Sequence, residues 1–295
     1  MERIGIVGAG TMGTGISQLF AEGGHEVILA DTADRALDDA RAEIARNVRL
    51  GPLVRPAAPH RSPEEVIARI CFTTDLKDLR GANYVIENIT ENWEAKRRLY
   101  AELDDVSPPG VPFGVNTSAI PITRIAAITG RAPDVIGTHF MNPAPLKGTV
   151  EVIRGHHTSG ETLERTAALL ESVGKRYIVV NDSPGFVTNR VLMITVNEAI
   201  FLLHEGVASV TEIDRLFKEC IGHAMGPLET ADLIGLDTVL YSLDVLYDNL
   251  KDPKYRACPL LQKMVAAGLH GRKTGQGFHS YEPGRESAVP TREER

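Results

Sequence analysis

The stretch GTHFMNPAPLKGTVEVI, Gly137 to Ile153, ends an apolar run on a histidine, His139, and places a glutamate, Glu151, twelve residues later. An imidazole beside a carboxylate can move a proton near neutral pH. The ring titrates in that range, and the acid fixes its tautomer and stabilises its charged form. Taken alone, the two residues favour a blander role: a satisfied core histidine and an exposed strand charge. What decides between these roles is the company the pair keeps. NTS, Asn116 to Ser118, follows one strand-like run, His139 ends another, and SPGFVTNR, Ser183 to Arg190, opens a region of different character. In an open parallel sheet, strand ends point toward a ligand crevice, so Ser118 and His139 can converge there.

A second set of residues lies at the N-terminus. GAGTMG, Gly8 to Gly13, is G-x-G-x-x-G directly after the strand-like RIGIV and at the opening of a helix. Gly8 suits the tight turn, Gly10 lets the backbone approach a pyrophosphate, and Gly13 lets helix and strand pack closely; Thr11 and Met12 complete the loop. The helix N-terminus then offers unpaired N–H groups to the phosphates. Asp31 closes the next strand, 18 residues after Gly13. A carboxylate there accepts from both ribose hydroxyls and repels a 2′-phosphate, which favours NAD over NADP. A Gly-rich turn with an unrelated aspartate is the alternative. The order strand, turn, helix, strand, acid weighs against it.

The elements that must hold these groups alternate. Strands are expected at Arg3–Val7, His25–Ala30, Tyr84–Ile86, Pro112–Val115, Val135–Thr138, Val150–Ile153 and Tyr177–Val180. Helices are expected at Thr11–Ala21 and Ala33–Arg49, the latter broken by the proline-rich residues 51–63. This pattern implies a doubly wound, Rossmann-type α/β sheet over residues 1–182. From residue 183 to 295 the reading is all-α, with helices at Val187–His204, Val210–Cys220, Ile234–Leu250 and about Leu260–Ala267. The charged tail from Glu282 is expected to fray.

Bulk properties exclude several classes. The chain has 295 residues and a net charge of −7, so neither a general nucleic-acid surface nor an anionic-membrane surface is expected. Its three cysteines, Cys71, Cys220 and Cys258, form no C-x-x-C pair and no disulfide framework, which fits a reducing cytoplasm. No signal segment and no membrane span are read. No metal is expected: His156 and His157 are adjacent and point apart, and His204, His223, His270 and His279 lack partners at ligand spacing. A serine-hydrolase elbow, G-x-S-x-G, is absent.

Seven stretches in order, GAGTMG, VIENITEN, NTSAI, HFMNPAPLKGTVEVI, SPGFVTNR, GPLETADLIGLD and GRKTGQGF, resemble the 3-hydroxyacyl-CoA dehydrogenase family over nearly the whole chain. The resemblance implies hydride transfer from C3 of a 3-hydroxyacyl thioester to NAD. It implies His139 as general base, Glu151 as its partner, and Ser118 and Asn189 as holders of the reacting oxygen. Asn142 would support the same pocket. Glu91, Lys96 and Asn116 would lie near the nicotinamide end of the cofactor, and the helical part would form a homodimer. GRKTGQGF reads either as a phosphate contact through Arg272 and Lys273 or as a Gly-rich chain reversal, the latter favoured.

The chain also departs from the family. Ala119 stands where a second serine is frequent, and Lys147 and Gly148 replace a more usual apolar-then-basic pair. Lys147 is either a solvated loop residue or a contact for a polar acyl group. Lysines that often meet the nucleotide of coenzyme A are missing; Arg49, Arg55 and Arg61 could substitute. The resemblance implies a short 3-hydroxyacyl-CoA thioester as substrate, and these departures weigh against coenzyme A as the carrier. The alternatives are a hydroxyacyl group on an acyl carrier protein, such as a glyceryl group, a free hydroxy acid, or a cofactor-binding protein without turnover.

Overall fold

The computed structural model describes residues 1–54 and 61–281. Two compact units divide after Ser183. In the first, strands β1 (Arg3–Val7), β2 (Glu26–Ala30), β3 (Ile70–Thr73), β4 (Tyr84–Glu87), β5 (Phe113–Val115), β6 (Val135–His139), β7 (Thr149–Arg154) and β8 (Arg176–Asn181) form one sheet. Their order is β3-β2-β1-β4-β5-β6-β7-β8. Strands β1 to β6 are mutually parallel, as the alternation of strands and helices requires. The chain then reverses: β7 runs antiparallel to β6, and β8 parallel to β7.

The central strands are nearly continuous apolar runs because helices cover both faces of a parallel sheet. Helices α1 (Thr11–Glu22), α2 (Asp34–Val54), α3 (Pro63–Ile67), α4 (Trp93–Val106), α5 (Ile122–Ala126) and α6 (Gly160–Ser172) supply the cover. Ile4, Ile6, Ile16, Phe20, Leu29 and Ile44 are buried at the centre of that core. β3 (ICFT) has no counterpart among the expected strands; four residues of mixed burial carry too little pattern. The expected break after Arg49 is also corrected. α2 continues to Val54 with Pro52 inside its last turn, where the missing N–H costs a single intrahelical bond. Arg55 and the tail from Glu282 lie outside the described residues.

The second unit is helical: α7 (Thr188–His204), α8 (Val210–Cys220), α9 (Pro227–Ile234), α10 (Leu236–Leu250) and α11 (Pro259–Ala266). Leu228, Val239, Leu243, Leu246, Leu261 and Phe278 are fully buried in its core. The single helix expected from Ile234 to Leu250 starts at Leu236. Gly235, at φ 100°, turns the chain between α9 and α10, a conformation that side chains resist.

GRKTGQGF is a chain reversal that closes this unit. Arg272 pairs with Glu229 at 3.5 Å and Lys273 with Asp237 at 2.5 Å, so both cations are held by acids. The buried Asp232 carboxylate accepts from the Phe278 and His279 N–H groups at 2.9 and 2.8 Å and from Tyr281 OH at 3.1 Å. Burial pushes its pKa up. His279 Nε2 lies 2.7 Å from Asp214 Oδ2, and that hydrogen bond holds the imidazole pKa above its ordinary value. A folded pKa above the unfolded one stabilises the fold fully below the unfolded value, about 6.5, and the gain is lost as pH rises through the folded value. Urea unfolding of the parent should therefore show stability declining over that window, and His279→Gln should remove that part of the pH dependence. An equally steep decline in the variant would contradict the assignment.

Candidate active site

β1 delivers the chain to the GAGTMG turn, at the strand-order reversal between β1 and β4 where open α/β sheets hold ligands. α1 begins there with Gly10 as N-cap, no side-chain cap and no acid in the first turn. Its first N–H groups have no intrahelical partners. Nothing lies within 4 Å of the point a Gly10 Cβ would occupy, so a ligand can approach the backbone. A Cβ on Gly13 would sit 1.7 Å from the Gly8 carbonyl oxygen, so helix and turn pack on bare backbone. Thr11 is exposed in the first turn, and Met12 is half-buried against the core.

Asp31 follows the end of β2. Its Oδ2 accepts from the Ala9 N–H at 2.7 Å and its Oδ1 from the Ala33 N–H at 3.1 Å, which fixes the carboxylate at the crevice wall. Beside it lies a cavity of about 240 Å³ lined by Gly8, Asp31, Thr32, Leu76, Ile89 and Arg98. An uncapped helix end, an open glycine and a fixed acid next to a cavity fit a dinucleotide with free ribose hydroxyls.

The second group of residues is built by the reversal of strand direction. In the antiparallel β6–β7 pair, His139 stands directly opposite Glu151. Side chains so placed share one face and meet. His139 Nδ1 lies 3.0 Å from Glu151 Oε2, with both side chains at least 92% buried (8% and 6% exposed). A carboxylate only accepts, so Nδ1 carries the proton and Nε2 is left as acceptor. Ser118 Oγ lies 3.2 Å from Nε2 and donates to it. The line Ser118–His139–Glu151 thus presents one basic nitrogen at a strand end.

Glu91 supports this line. Its Oε1 accepts from the Ser118 N–H at 2.6 Å and its Oε2 from Thr117 Oγ1 at 2.8 Å. Asn116 ties three strand ends together: its Nδ2 donates to Asn88 Oδ1 at 2.8 Å and its Oδ1 accepts from the Phe140 N–H at 3.1 Å. Lys96 is not brought to the crevice. Its side chain has no exposed surface, and Nζ donates to both oxygens of Glu87, at 2.7 and 2.8 Å. Lys96, expected near the nicotinamide end of the cofactor, lies behind Glu91, 4.0 Å from its Oε2. Neither Glu87 nor Thr117 was among the expected site residues. The available signal for Glu87 was a charge closing the apolar run YVIE at a strand's carboxyl end.

Asn142 and Lys147 lie exposed in the connection between β6 and β7. The Lys147 carbonyl accepts from Lys175 Nζ at 2.7 Å. Asn142 lines a second cavity of about 370 Å³, with Gln18, Glu43, Asn47, Leu50 and Pro145. Among the described residues its wall holds one acid, Glu43, and no base. Arg61, expected as a phosphate partner, instead donates from Nε to the Glu22 carbonyl at the end of α1, at 2.9 Å. Asn189 lies in the first turn of α7 in the second unit.

The family model for the NAD binding domain of 3-hydroxyacyl-CoA dehydrogenase matches residues 3–183, and the model for its C-terminal domain matches residues 185–281. The chain belongs to the 3-hydroxyacyl-CoA dehydrogenase family. It is an NAD-dependent oxidoreductase of that family. A probable 3-hydroxybutyryl-CoA dehydrogenase of Deinococcus radiodurans is 46% identical over 95% of this chain and 100% of its own length. A 3-hydroxybutyryl-CoA dehydrogenase of Bradyrhizobium diazoefficiens is 41% identical over 99% of both. Among solved structures, the (S)-3-hydroxybutyryl-CoA dehydrogenase of Ralstonia eutropha is similar, with a TM-score of 0.88 and 43% identity over 96% of this chain and 99% of that one. Among the described residues no helix is long and apolar enough to cross a membrane.

In this dehydrogenase Gly13→Ala should displace the GAGTMG turn, since a Cβ there would sit 1.7 Å from the Gly8 carbonyl oxygen. The expected outcome is a loss of at least about tenfold in NAD affinity, with a destabilisation of roughly 1–3 kcal/mol from overpacking. Titration by tryptophan or NADH fluorescence, together with urea unfolding, checks it; unchanged NAD binding would refute the geometry.

Proposed function

We propose that this dehydrogenase oxidises the 3-hydroxyl of a short 3-hydroxyacyl thioester, with His139 as base. The observation that carries the reading is the Ser118–His139–Glu151 line, with its histidine and glutamate buried and a half-buried serine at its end, ordered around one acceptor nitrogen. In this reading the substrate hydroxyl donates to His139 Nε2 and its proton passes to that nitrogen. Glu151 Oε2, already on the Nδ1 proton, stabilises the imidazolium that forms. Ser118 Oγ, released from Nε2, turns its proton to the substrate oxygen as negative charge develops there. For Asn189 the SPGFVTNR motif implies the role of a further donor to the reacting oxygen. The GAGTMG turn would hold the pyrophosphate of NAD, Asp31 its ribose hydroxyls and the Glu91 side of the crevice its nicotinamide, and the bound cofactor would supply the hydride acceptor.

His139→Gln should lower kcat about 10²–10⁴-fold, the range for loss of a positioned base, while NAD affinity stays within about twofold. Full activity in that variant would remove the proton-transfer role. A homodimer through the second unit belongs to the same reading, since Leu216, Ile221, Leu233 and Tyr247 are exposed there. Light scattering at assay concentration should give twice the 32.1 kDa chain mass; the single-chain mass would contradict it.

The names of the relatives favour a coenzyme A ester of a four-carbon acyl group. A second reading, a hydroxyacyl group such as glyceryl on an acyl carrier protein, draws on the second cavity. Among the described residues its wall holds no cation for a nucleotide phosphate, and Arg61 Nε donates to the Glu22 carbonyl. NADH formation from 3-hydroxybutyryl-CoA, glyceryl carrier protein and free 3-hydroxybutyrate separates them. A higher kcat/KM on the CoA ester ends the carrier reading, a higher one on the carrier ends the CoA reading, and full activity on the free acid ends both.

A further inference from the structure

Behind the crevice lies a buried charge cluster that the reaction chemistry does not use. Glu87, at the carboxyl end of β4, is 1% exposed. Its carboxylate accepts from Lys96 Nζ twice, from Tyr100 OH at 3.1 Å and from the Ile89 N–H at 2.7 Å. Lys96 and Tyr100 both project from α4 and are fully buried. The ammonium therefore faces two acids. Glu87 holds it on two oxygens, and Glu91 Oε2 lies 4.0 Å away while gripping the Ser118 segment through Thr117 Oγ1 and the Ser118 N–H. In a buried site the pull between charges 4 Å apart is several times that in water. The cation is thus placed to draw on Glu91, and what restrains it is Glu87.

We propose that Glu87 is a positioning residue for the oxidation. By holding the Lys96 ammonium, it leaves the Glu91 carboxylate free to fix the Ser118 backbone, and hence the hydroxyl, against His139 Nε2. Without the Glu87 charge, Lys96 closes on Glu91, Glu91 lets go of the Ser118 N–H, and the Ser118 hydroxyl loses its aim. Burial already pushes the Glu87 pKa up, with the Lys96 charge opposing. If Lys96 were neutral, Glu87 would take a proton and Glu91 would stay where it is. The inference rests on the reading of Ser118 as a holder of the reacting oxygen.

The test is a cycle of variants in the full chain with NAD and the acyl thioester from the panel above that the parent turns over best. Glu87→Gln should lower kcat about tenfold, the cost of one charge-assisted hydrogen bond, with KM for the thioester within about twofold. Adding Lys96→Met to it should recover most of that loss, since no cation remains to capture Glu91. Unfolding midpoints are measured for each variant. A kcat for Glu87→Gln within about twofold of the parent overturns the proposal, and so does a double variant no faster than the single one. If Glu87→Gln does not fold, the comparison of Lys96→Met with the double variant decides. Their kcat values should agree within about twofold, and a tenfold gap overturns the proposal. Ser118→Ala separates the two levels. Full activity there removes the reading of Ser118 itself, whereas an impaired Ser118→Ala beside a fully active Glu87→Gln removes the Glu87 role alone.

Discussion

The antiparallel register that sets His139 opposite Glu151 is the constraint on which the site depends. Five parallel pairings bring strand ends to one crevice, but parallel neighbours far apart in sequence would not by themselves join these two side chains. The reversal at β7 makes them cross-strand partners on a buried face. Side chains alternate along a strand, so a slip of one residue would turn Glu151 to the opposite face and leave His139 without its acid. The buried apolar neighbours Ile136, Val150, Val152 and Ile153 pack on both sides of the pair, and the same slip would force them to repack on the opposite faces.

Around this pair the molecule confines ionised groups by giving each a specific partner. Glu151 is met by His139, Glu87 by Lys96 and Tyr100, Glu91 by the Ser118 segment, and Asp31 by two backbone N–H groups. Buried charges are tolerated only when paired and hydrogen-bonded, so each acid fixes the element that satisfies it. The result is a chain of contacts from α4 through the β4 and β5 ends to β6 and β7. The helical unit applies the same rule at its C-terminal reversal, where Asp214 and Asp232 gather backbone donors from segments far apart in sequence.

The two candidate binding regions differ in how firmly their residues are held. The dinucleotide side relies on backbone: bare glycines, an uncapped helix end and a fixed acid. The connection from β6 to β7 carries Asn142 and Lys147 on its exposed side, within a segment anchored by Lys175 on the Pro145 and Lys147 carbonyls. A shared catalytic line with a differently dressed connection is how one family can keep its chemistry while changing the group it accepts.

Much of this was legible in the sequence. GAGTMG after RIGIV and before a helix, with Asp31 beyond, reads as a dinucleotide turn, in which Gly8 takes a positive φ and Gly13 packs where a Cβ would clash, while Gly10 leaves its backbone open. The alternation of strands and helices up to Asn181, and its loss afterwards, determined an α/β sheet followed by helices. His139, Glu151 and Ser118 could be selected by type and spacing. Tertiary structure alone decided the rest. The direction of β7 is not encoded in its apolar pattern, yet it is what pairs His139 with Glu151. Pro52 stays helical because it falls near a helix end. Lys96, a surface charge by composition, is buried because Glu87 ends a neighbouring strand at the right height. Arg61, read as a possible phosphate partner, is directed by its Nε to the Glu22 carbonyl. Local pattern sets which element a residue joins, but the partner that satisfies a charge is chosen by which strand ends and helix faces the packed sheet brings together.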